Sequence, residues 1–191
     1  MYLIIDSETT GLPRNWKAPI SDLSNWPRVI QIAWAVFSKD GQPVESTTAL
    51  IRPDGFVIPA DVQQIHGITT ERALAEGRKL ETVLLELSAA VEKSDSIVAH
   101  NVRFDESVIS AEYIRLRLKP PFPGKKRICT MMQSTDFCHI KGPYGYKWPT
   151  LSQLHQELFK HGYAEAHDAG ADVAACAKCF FELKRRGILT L

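Results

Sequence analysis

The chain has 191 residues, of which 45% are hydrophobic and 24% are charged, and this is the composition of a soluble globular domain. A formal net charge of +1 excludes a strongly basic protein that coats a long polyanion. No apolar run reaches the ~18 residues of a membrane span, and Met1 leads into the first predicted strand without a signal-peptide pattern. We therefore expect a single domain over residues 1–191 that is cytoplasmic and does not contact a membrane.

An apolar run at Tyr2–Ile5 predicts a short buried strand, and two carboxylates, Asp6 and Glu8, follow where that strand should end. Because side chains alternate along an extended backbone, both carboxylates should lie on the same side. Two like charges on one side repel each other unless a cation lies between them, so the spacing favours a metal site. A polar strand end that runs into a Thr-Gly turn is the alternative, and the pair alone does not decide between the two.

Residues 9–27 predict a long loop because they are rich in Thr, Gly, Pro, Asn and Trp and lack periodicity. β-Branched and aromatic residues then predict a strand at Val29–Phe37, and a turn signal at 39–42 leads to a return strand at Val44–Arg52. The first three strands should therefore form a meander with at least one antiparallel pair.

Short helices are predicted at Pro59–Gly67 and Thr69–Gly77, the first ended by glycine and the second capped by threonine. Apolar residues at helical spacing predict a longer amphipathic helix that begins at Leu80. The mainly apolar residues Ser96–Ala99 are too few for a helix, so they predict the next buried strand.

The second half of the chain continues with a helix at about 100–118, which a proline-rich connector at 119–126 ends. Residues Arg127–Thr130 predict the last strand, and further helices are predicted at about 151–162 and 168–186. Strands joined by helices, with a meander at the front, predict a three-layer α/β domain.

Two further acidic residues lie where a cation could be bound. Asp105 is in the first turn after the strand at 96–99, and α/β sheets place ligands at the carboxyl ends of strands. Asp172 begins the apolar stripe of the last helix, so its side chain should point inward and need a cation or donors. Compensation of the helix dipole is the alternative for Asp172. His167, five residues earlier, could act as a base toward water or be an ordinary surface histidine.

Three segments together carry a resemblance to a known family. They are Asp6-Ser-Glu8-Thr-Thr-Gly11, Ala99-His-Asn-Val-Arg-Phe-Asp105 and His167-Asp-Ala-Gly-Ala-Asp172-Val. In this order and at these separations they resemble the three motifs of the DEDDh exonucleases, the family of polymerase proofreading subunits and ribonuclease T. The resemblance covers nearly the whole chain. It implies a ribonuclease H-like fold, with a mixed five-stranded sheet flanked by helices, and the release of nucleoside 5′-monophosphates from 3′ ends.

The resemblance also implies roles for particular residues. Two Mg²⁺ or Mn²⁺ ions per site should be held by four carboxylates, and a histidine should act as general base; these are Asp6, Glu8, Asp105 and Asp172, with His167. Ligands that are all carboxylates suit such hard ions. Residues expected to contact the substrate are Thr9, Gly11, Leu12, His66, Ile68, Asn101 and Phe104. Ser7 replaces a larger residue that is common in the family, which should leave the carboxylates unchanged but loosen contact with the scissile nucleotide.

Tyr144, Tyr146 and Trp148 lie in a glycine- and lysine-containing loop at 142–148. These rings could stack on the bases of a single strand. They could also anchor the loop against the domain, which is the commoner role of aromatic residues in such loops. The sequence leaves both interpretations open.

From these features we expect a stand-alone, metal-dependent exonuclease that acts on the 3′ ends of DNA, with single-stranded or frayed ends favoured and a homodimer compatible with the sequence. Its partner should be nucleic acid, with DNA favoured over RNA. The nearest alternative is an exoribonuclease that trims RNA 3′ ends, since contacts to the 2′-OH depend on the geometry of the pocket.

Two alternatives come from other classes of protein. A phosphatase of the haloacid dehalogenase class would use Asp6 as nucleophile, but it needs a second Asp where Glu8 stands and gives His167 no role. A nucleic-acid-binding module with a decayed site is the non-enzymatic alternative, and the intact set of acidic residues argues against it.

Overall fold

A mixed five-stranded sheet lies at the centre of the molecule. The computed structural model describes residues 1–164 and 166–190 and gives the strand order β3-β2-β1-β4-β5. The strands are β1 (Tyr2–Thr9), β2 (Val29–Phe37), β3 (Pro43–Leu50), β4 (Ser96–Ala99) and β5 (Lys126–Cys129). β1, β2 and β3 form the predicted antiparallel meander, while β4 and β5 run parallel to β1. The predicted mixed sheet is therefore confirmed.

Helices cover both faces of this sheet. They are α1 (Ala60–His66), α2 (Thr70–Glu76), α3 (Leu80–Glu92), α4 (Val102–Arg115), α5 (Thr130–Gln133), α6 (Thr135–Cys138), α7 (Leu151–Phe159) and α8 (Ala169–Arg185). One core cluster joins α3 and α4 to the sheet, and a second joins α7 and α8 to the opposite face. The three-layer arrangement is thus also confirmed. Among the described residues, none of the helices has both the length and the apolarity needed to cross a bilayer.

Alternation along β1 assigns each of its side chains to one of the two cores. Leu3 and Ile5 pack with α3 and α4, whereas Tyr2 and Ile4 pack with α7 and α8. Asp6 and Glu8 continue the second series and therefore lie on the α8 side, while Ser7 lies on the α4 side.

The structure corrects several predicted boundaries. β1 does not end at Ile5 but runs to Thr9, because pairing with β2 continues through both acidic residues. Thr130 was predicted in the last strand but begins α5, and its hydroxyl donates to the carbonyl of Ala99 at 3.3 Å. α4 and α7 are shorter than predicted; the left-handed residue Lys160 (φ 64°) ends α7.

Two short strands, β6 (Lys141–Gly142) and β7 (Gly145–Tyr146), form a small hairpin within the segment that was predicted as a loop. The two-residue strands are too short to give an alternation signal. The helices α5 and α6 were missed for the same reason, since four residues show no helical period.

Candidate active site

The candidate site begins where β1 loses one of its two neighbouring strands. β1 pairs with β4 only at Tyr2–Ile4, but it stays paired with β2 as far as Thr9. β4 ends at Ala99, the chain turns through Asn101 with a positive φ of 88°, and α4 begins at Val102. Beyond Ile4 the edge of β1 that faces β4 is therefore unpaired, and the first turn of α4 lies at this end of the sheet.

Asp105 lies in that first turn and is buried. The Ser7 hydroxyl donates a hydrogen bond to Oδ1 of Asp105 at 2.8 Å. Ser7 was expected to loosen contact with a nucleotide, but it faces α4 from the opposite side of β1 to Asp6 and Glu8. Its role in the structure is to orient the carboxylate of Asp105.

Hydrogen bonds to β2 fix the start of α8. The side chain of Asp168, the N-cap, accepts from the Ala171 N–H at 3.1 Å and from Gln31 Nε2 at 2.9 Å. Gln31 on β2 in turn accepts from the Ala169 N–H at 2.9 Å. Gly170 lets the helix start approach β3 closely, since a Cβ there would lie 2.5 Å from Oγ1 of Thr48. The helix start is thus held tightly against the sheet.

Asp172, one turn into α8, is buried and held by a tyrosine that the sequence analysis missed. The Tyr163 hydroxyl donates to Oδ1 of Asp172 at 2.7 Å. The Tyr163 ring lies 5.2 Å from the buried ring of His155 on α7, and His155 Nδ1 donates to the carbonyl of His161 at 3.0 Å. α7 therefore fixes the segment that presents Tyr163. The sequence holds no spacing signal for this contact.

The carboxylates meet the candidate base at one end of the sheet. One ligand atom from each of Glu8, His167 and Asp172 lies within 4.8 Å of the other two. The backbone N–H of His167 donates to Oδ2 of Asp172 at 3.4 Å, and the exposed His167 has a positive φ of 72°. Asp6 and Asp105 lie outside this close set but interact with it electrostatically.

Burial and mutual repulsion dominate the electrostatics of the site. Burial, followed by the charges of Asp105, Asp172 and Glu8, raises the pKa of Asp6 well above its usual value. Burial first, and then the other carboxylates, raises the pKa of Glu8 to about 8. Burial also raises the pKa of Asp105 to about 7, although its hydrogen bond from Ser7 acts in the opposite direction.

Asp172 shows the same balance. Burial raises its pKa, and the donors at Tyr163 and His167 partly offset that effect. Within residues 1–164 and 166–190, none of the four carboxylates forms an ion pair with a lysine or an arginine. Four crowded carboxylates without a protein cation fit a divalent cation bound through oxygen.

His66 leaves a buried hydrogen-bond donor beside this cluster. Its Nδ1 accepts from the Ile68 N–H at 3.0 Å, so in the neutral ring the proton is on Nε2, and that buried atom has no partner within residues 1–164 and 166–190. Burial first, and then the charge of His167, lowers the pKa of His66, so the two rings interact electrostatically. Ile68 was expected to contact substrate, but it is only 2% exposed and packs with Ile30 and Ile58. Its side chain therefore belongs to the core.

The loop after β1 contains the other expected substrate contacts. The Thr9 hydroxyl donates to the carbonyl of Gly11 at 2.6 Å, and Gly11 adopts a φ of 137° that favours glycine. Leu12 is 71% exposed beyond this turn. The ring of Phe104, next to Asp105, lies 5.8 Å from that of Trp16. Phe104 directly precedes Asp105 in the first turn of α4, and Asn101 forms the turn before that helix.

Comparisons with known proteins show the family to which the chain belongs. A family model described as an exonuclease, RNase_T, matches residues 3–180. The DNA polymerase III subunit epsilon of Treponema pallidum (strain Nichols) is 30% identical over 179 residues, which are 94% of this chain and 74% of that protein.

Two solved structures show the same fold. E. coli exonuclease I in complex with a dT13 oligonucleotide is 21% identical, with a TM-score of 0.76 over 97% of this chain and 41% of that chain. The exonuclease I of Methylocaldum szegediense is also 21% identical, with a TM-score of 0.74 over 97% of this chain and 40% of that one. The chain thus spans about two fifths of the length of these structures. The likeness confirms the expected ribonuclease H-like fold.

If the four carboxylates bind divalent cations, Mg²⁺ should stabilise the fold and Asp6→Asn should remove most of that effect. We expect saturating Mg²⁺ to raise the melting temperature of the wild type by roughly 5 °C or more, as follows for a ligand at about 100 times its Kd. In EDTA, Asp6→Asn should melt above the wild type because it removes one charge from a repelling cluster. The measurement is a thermal melt with and without Mg²⁺. Glu92→Gln, an exposed carboxylate on α3, is the control, and an equal Mg²⁺ response in Asp6→Asn would contradict the assignment.

The hydrogen bond from Tyr163 should set the affinity of the site for metal. Tyr163→Phe keeps the ring against His155 but removes the donor to Asp172, so the Mg²⁺ concentration for half-maximal stabilisation should rise by about tenfold or more. Tyr113→Phe is the matched control, because it also removes a phenol hydrogen bond, to the carbonyl of Leu84, in the other core. Equal Mg²⁺ titrations for the two variants would show that Tyr163 only packs.

Proposed function

The chain belongs to the RNase_T family of exonucleases and is a 3′-to-5′ exonuclease, and on that premise we propose that its substrate is the 3′ end of single-stranded or frayed DNA. The observation that supports this proposal is the cluster of four carboxylates without a protein cation, with a histidine at its solvent side. The family membership replaces the phosphatase and the inactive binding module as interpretations of the sequence.

The proposed ligands of two divalent cations, Mg²⁺ or Mn²⁺, are Asp6, Glu8, Asp105 and Asp172. Bound ions would neutralise charge on the phosphate and lower the pKa of the attacking water. The ligands are oxygen donors, which suits these ions; a zinc-bound form of an E. coli exonuclease I complex with single-stranded DNA also exists. Ser7 and Tyr163 keep one oxygen of Asp105 and one of Asp172 hydrogen-bonded, and this limits the orientations of the two carboxylates.

His167 is the proposed general base. Its exposed side chain lies beside Glu8 and Asp172, where it can take a proton from a water that enters from solvent. The water oxygen forms a bond to phosphorus, the bond from phosphorus to the 3′ oxygen of the preceding nucleotide breaks, and that oxygen gains a proton. The products are a nucleoside 5′-monophosphate and a strand with a new 3′-OH.

His66 is the proposed contact to the terminal nucleotide. Among the described residues its buried Nε2–H has no acceptor, and its ring interacts electrostatically with His167, so a bound nucleotide that offers an oxygen or a ring nitrogen would satisfy it. Leu12, which is exposed, and Phe104, which is next to Asp105, are the further proposed contacts to the same nucleotide. A pocket closed around the terminal nucleotide in this way would require a free 3′ end.

We favour DNA as the polymer because two of the similar proteins are linked to DNA by their names or bound ligands. One is a subunit of a DNA polymerase, and the solved exonuclease I carries a deoxythymidine oligonucleotide. RNA is the second candidate.

The substrate is tested with one sequence prepared as DNA and as RNA, each single-stranded and duplex, labelled at the 5′ end. With Mg²⁺ or Mn²⁺ we expect single-stranded DNA to shorten in single-nucleotide steps from its 3′ end, faster than duplex DNA or RNA. A DNA with a phosphorothioate linkage at the 3′ end is the control and should resist. Faster shortening of the RNA would assign the enzyme to RNA ends instead.

His167→Ala should lower kcat by about 10²- to 10⁴-fold, the usual contribution of a general base, because the attacking water keeps its proton. Binding of a 3′-labelled oligonucleotide should be retained, since the carboxylates and His66 are unchanged. His161→Ala removes another exposed imidazole, six residues before His167, and serves as the control. Wild-type turnover in His167→Ala would exclude the assignment of the base.

A further inference from the structure

Residues 139–149, which we call the aromatic arm, project from the domain as a small hairpin. Its strands β6 and β7 pair Lys141 with Tyr146 and Gly142 with Gly145. Tyr144 at the turn is fully exposed (102%), Trp148 is 62% exposed and Tyr146 is 49% exposed. Three large rings on one short hairpin thus present apolar surface to solvent.

The exposure decides between the two interpretations that the sequence left open. In the described part of the chain, neither Tyr144 nor Trp148 pairs with another aromatic ring; only Tyr146 does, edge to face with His139 at 4.7 Å. Rings that anchor a loop are buried against the domain, and these two are not. Exposed apolar rings close to one another are typical of a binding surface.

The base of the aromatic arm is fixed to the candidate active site. His100 follows β4 directly and donates from Nε2 to the carbonyl of Pro149 at 2.9 Å, while its Nδ1 lies 3.0 Å from Oγ1 of Thr130. Thr150 then caps α7 through a capping box. Because Asn101 and α4 follow His100, the arm leaves the domain at the same end of the sheet as Asp105.

The charge of the arm matches that of a nucleic-acid strand. Lys141 and Lys147 are exposed, and residues 139–149 contain no acidic residue. In the described residues neither lysine forms an ion pair, although several other surface lysines do. The chain as a whole has a net charge of only +1, so this positive charge is local.

We propose that the aromatic arm binds the single strand upstream of the terminal nucleotide, with Tyr144 and Trp148 stacked on bases and Lys141 and Lys147 against phosphates. The proposal rests on the proposed function, because it is the strand in the carboxylate site that would pass along the arm. Every base has a face on which a ring can stack, so binding should not depend on sequence. The bases must be unpaired to stack, and this would make single strands the better substrates.

The test compares an oligonucleotide with thymidine 5′-(p-nitrophenyl phosphate), a nucleotide ester that has no upstream strand. In the double variant Tyr144→Ala/Trp148→Ala, KM for single-stranded DNA should rise by about tenfold or more, as lost stacking on two bases implies. Its kcat on DNA, and its kcat/KM on the ester, should follow the wild type. An unchanged KM for DNA would overturn the proposal, and so would an equal loss on both substrates.

Two sets of variants separate stacking from other effects. Tyr144→Phe/Trp148→Phe retains the rings and should keep most of the affinity, whereas Tyr144→Leu/Trp148→Leu retains only apolar surface and should lose it. Leu85→Ala, on α3, removes a comparably exposed apolar side chain (55%) and should have no effect on KM. Each of Lys141→Gln and Lys147→Gln should reduce the slope of log affinity against log salt by about 0.7 if it removes one phosphate contact.

Binding without turnover separates this proposal from the proposed function. The affinity of a fluorescent single-stranded DNA for the protein in EDTA, measured by anisotropy, should fall in the alanine double variant whether or not the wild type hydrolyses DNA. If the wild type cleaves neither substrate but the affinity still depends on the rings, the proposed function fails and the arm stands. If the wild type cleaves both and the affinity ignores the rings, the arm proposal fails alone.

Discussion

Mutual repulsion among four carboxylates, two of them buried and two half-buried, is the constraint on which the rest of the structure depends. Two of them continue a central strand, and two lie near the starts of helices on opposite faces of the sheet. Burial and like charge raise the pKa values of all four, so the metal-free protein pays in stability for holding them together. Such a cost is retained where function needs it. The hydrogen bonds from Ser7, Tyr163 and Gln31 oppose the repulsion by fixing a carboxylate or the helix that carries it.

A buried ion-pair cluster holds the long loop after β1 against α4, the helix that carries Asp105. Glu112 on α4 is fully buried and accepts from the Arg28 side chain and from the Val29 N–H, both at 2.9 Å. Arg115 also pairs with Glu112 and donates to the carbonyls of Leu23 and Trp26. The long loop after β1 is thereby tied to the helix that carries Asp105. A loop of this length without regular structure is stable only with such ties, since buried backbone carbonyls need donors.

The sequence predicts the parts of this protein that depend on local pattern. Asp6 and Glu8 share a side because alternation is a property of any strand, and Asp105 could be placed because strand ends collect ligands. The partners of these carboxylates could not be predicted, because Ser7 and Asp105 are 98 residues apart and Gln31 and Asp168 are 137 apart. Asp168 itself carried a usable signal, as an Asp at a helix start favours an N-cap. Tyr163 carried no such signal. Ile68 was expected to contact substrate but packs in the core, because the sequence alone does not distinguish a side chain that lines a site from one in the core beneath it.

The close approach of Gly170 to Thr48 has a consequence for motion in the molecule. Because Gly170 packs too closely on Thr48 for a Cβ to fit, and Gln31 holds Asp168 and Ala169, the start of α8 should move little against the sheet, and Asp172 with it. The residues proposed to hold the nucleotide and the strand, Leu12 and the aromatic arm, lie instead on loops and a two-residue hairpin, where fluctuation is easiest. Under these proposals, Leu12 and the aromatic arm are the parts that would adapt to bases of different size. If the proposed function holds, the enzyme should accept each of the bases in turn without displacing the carboxylates.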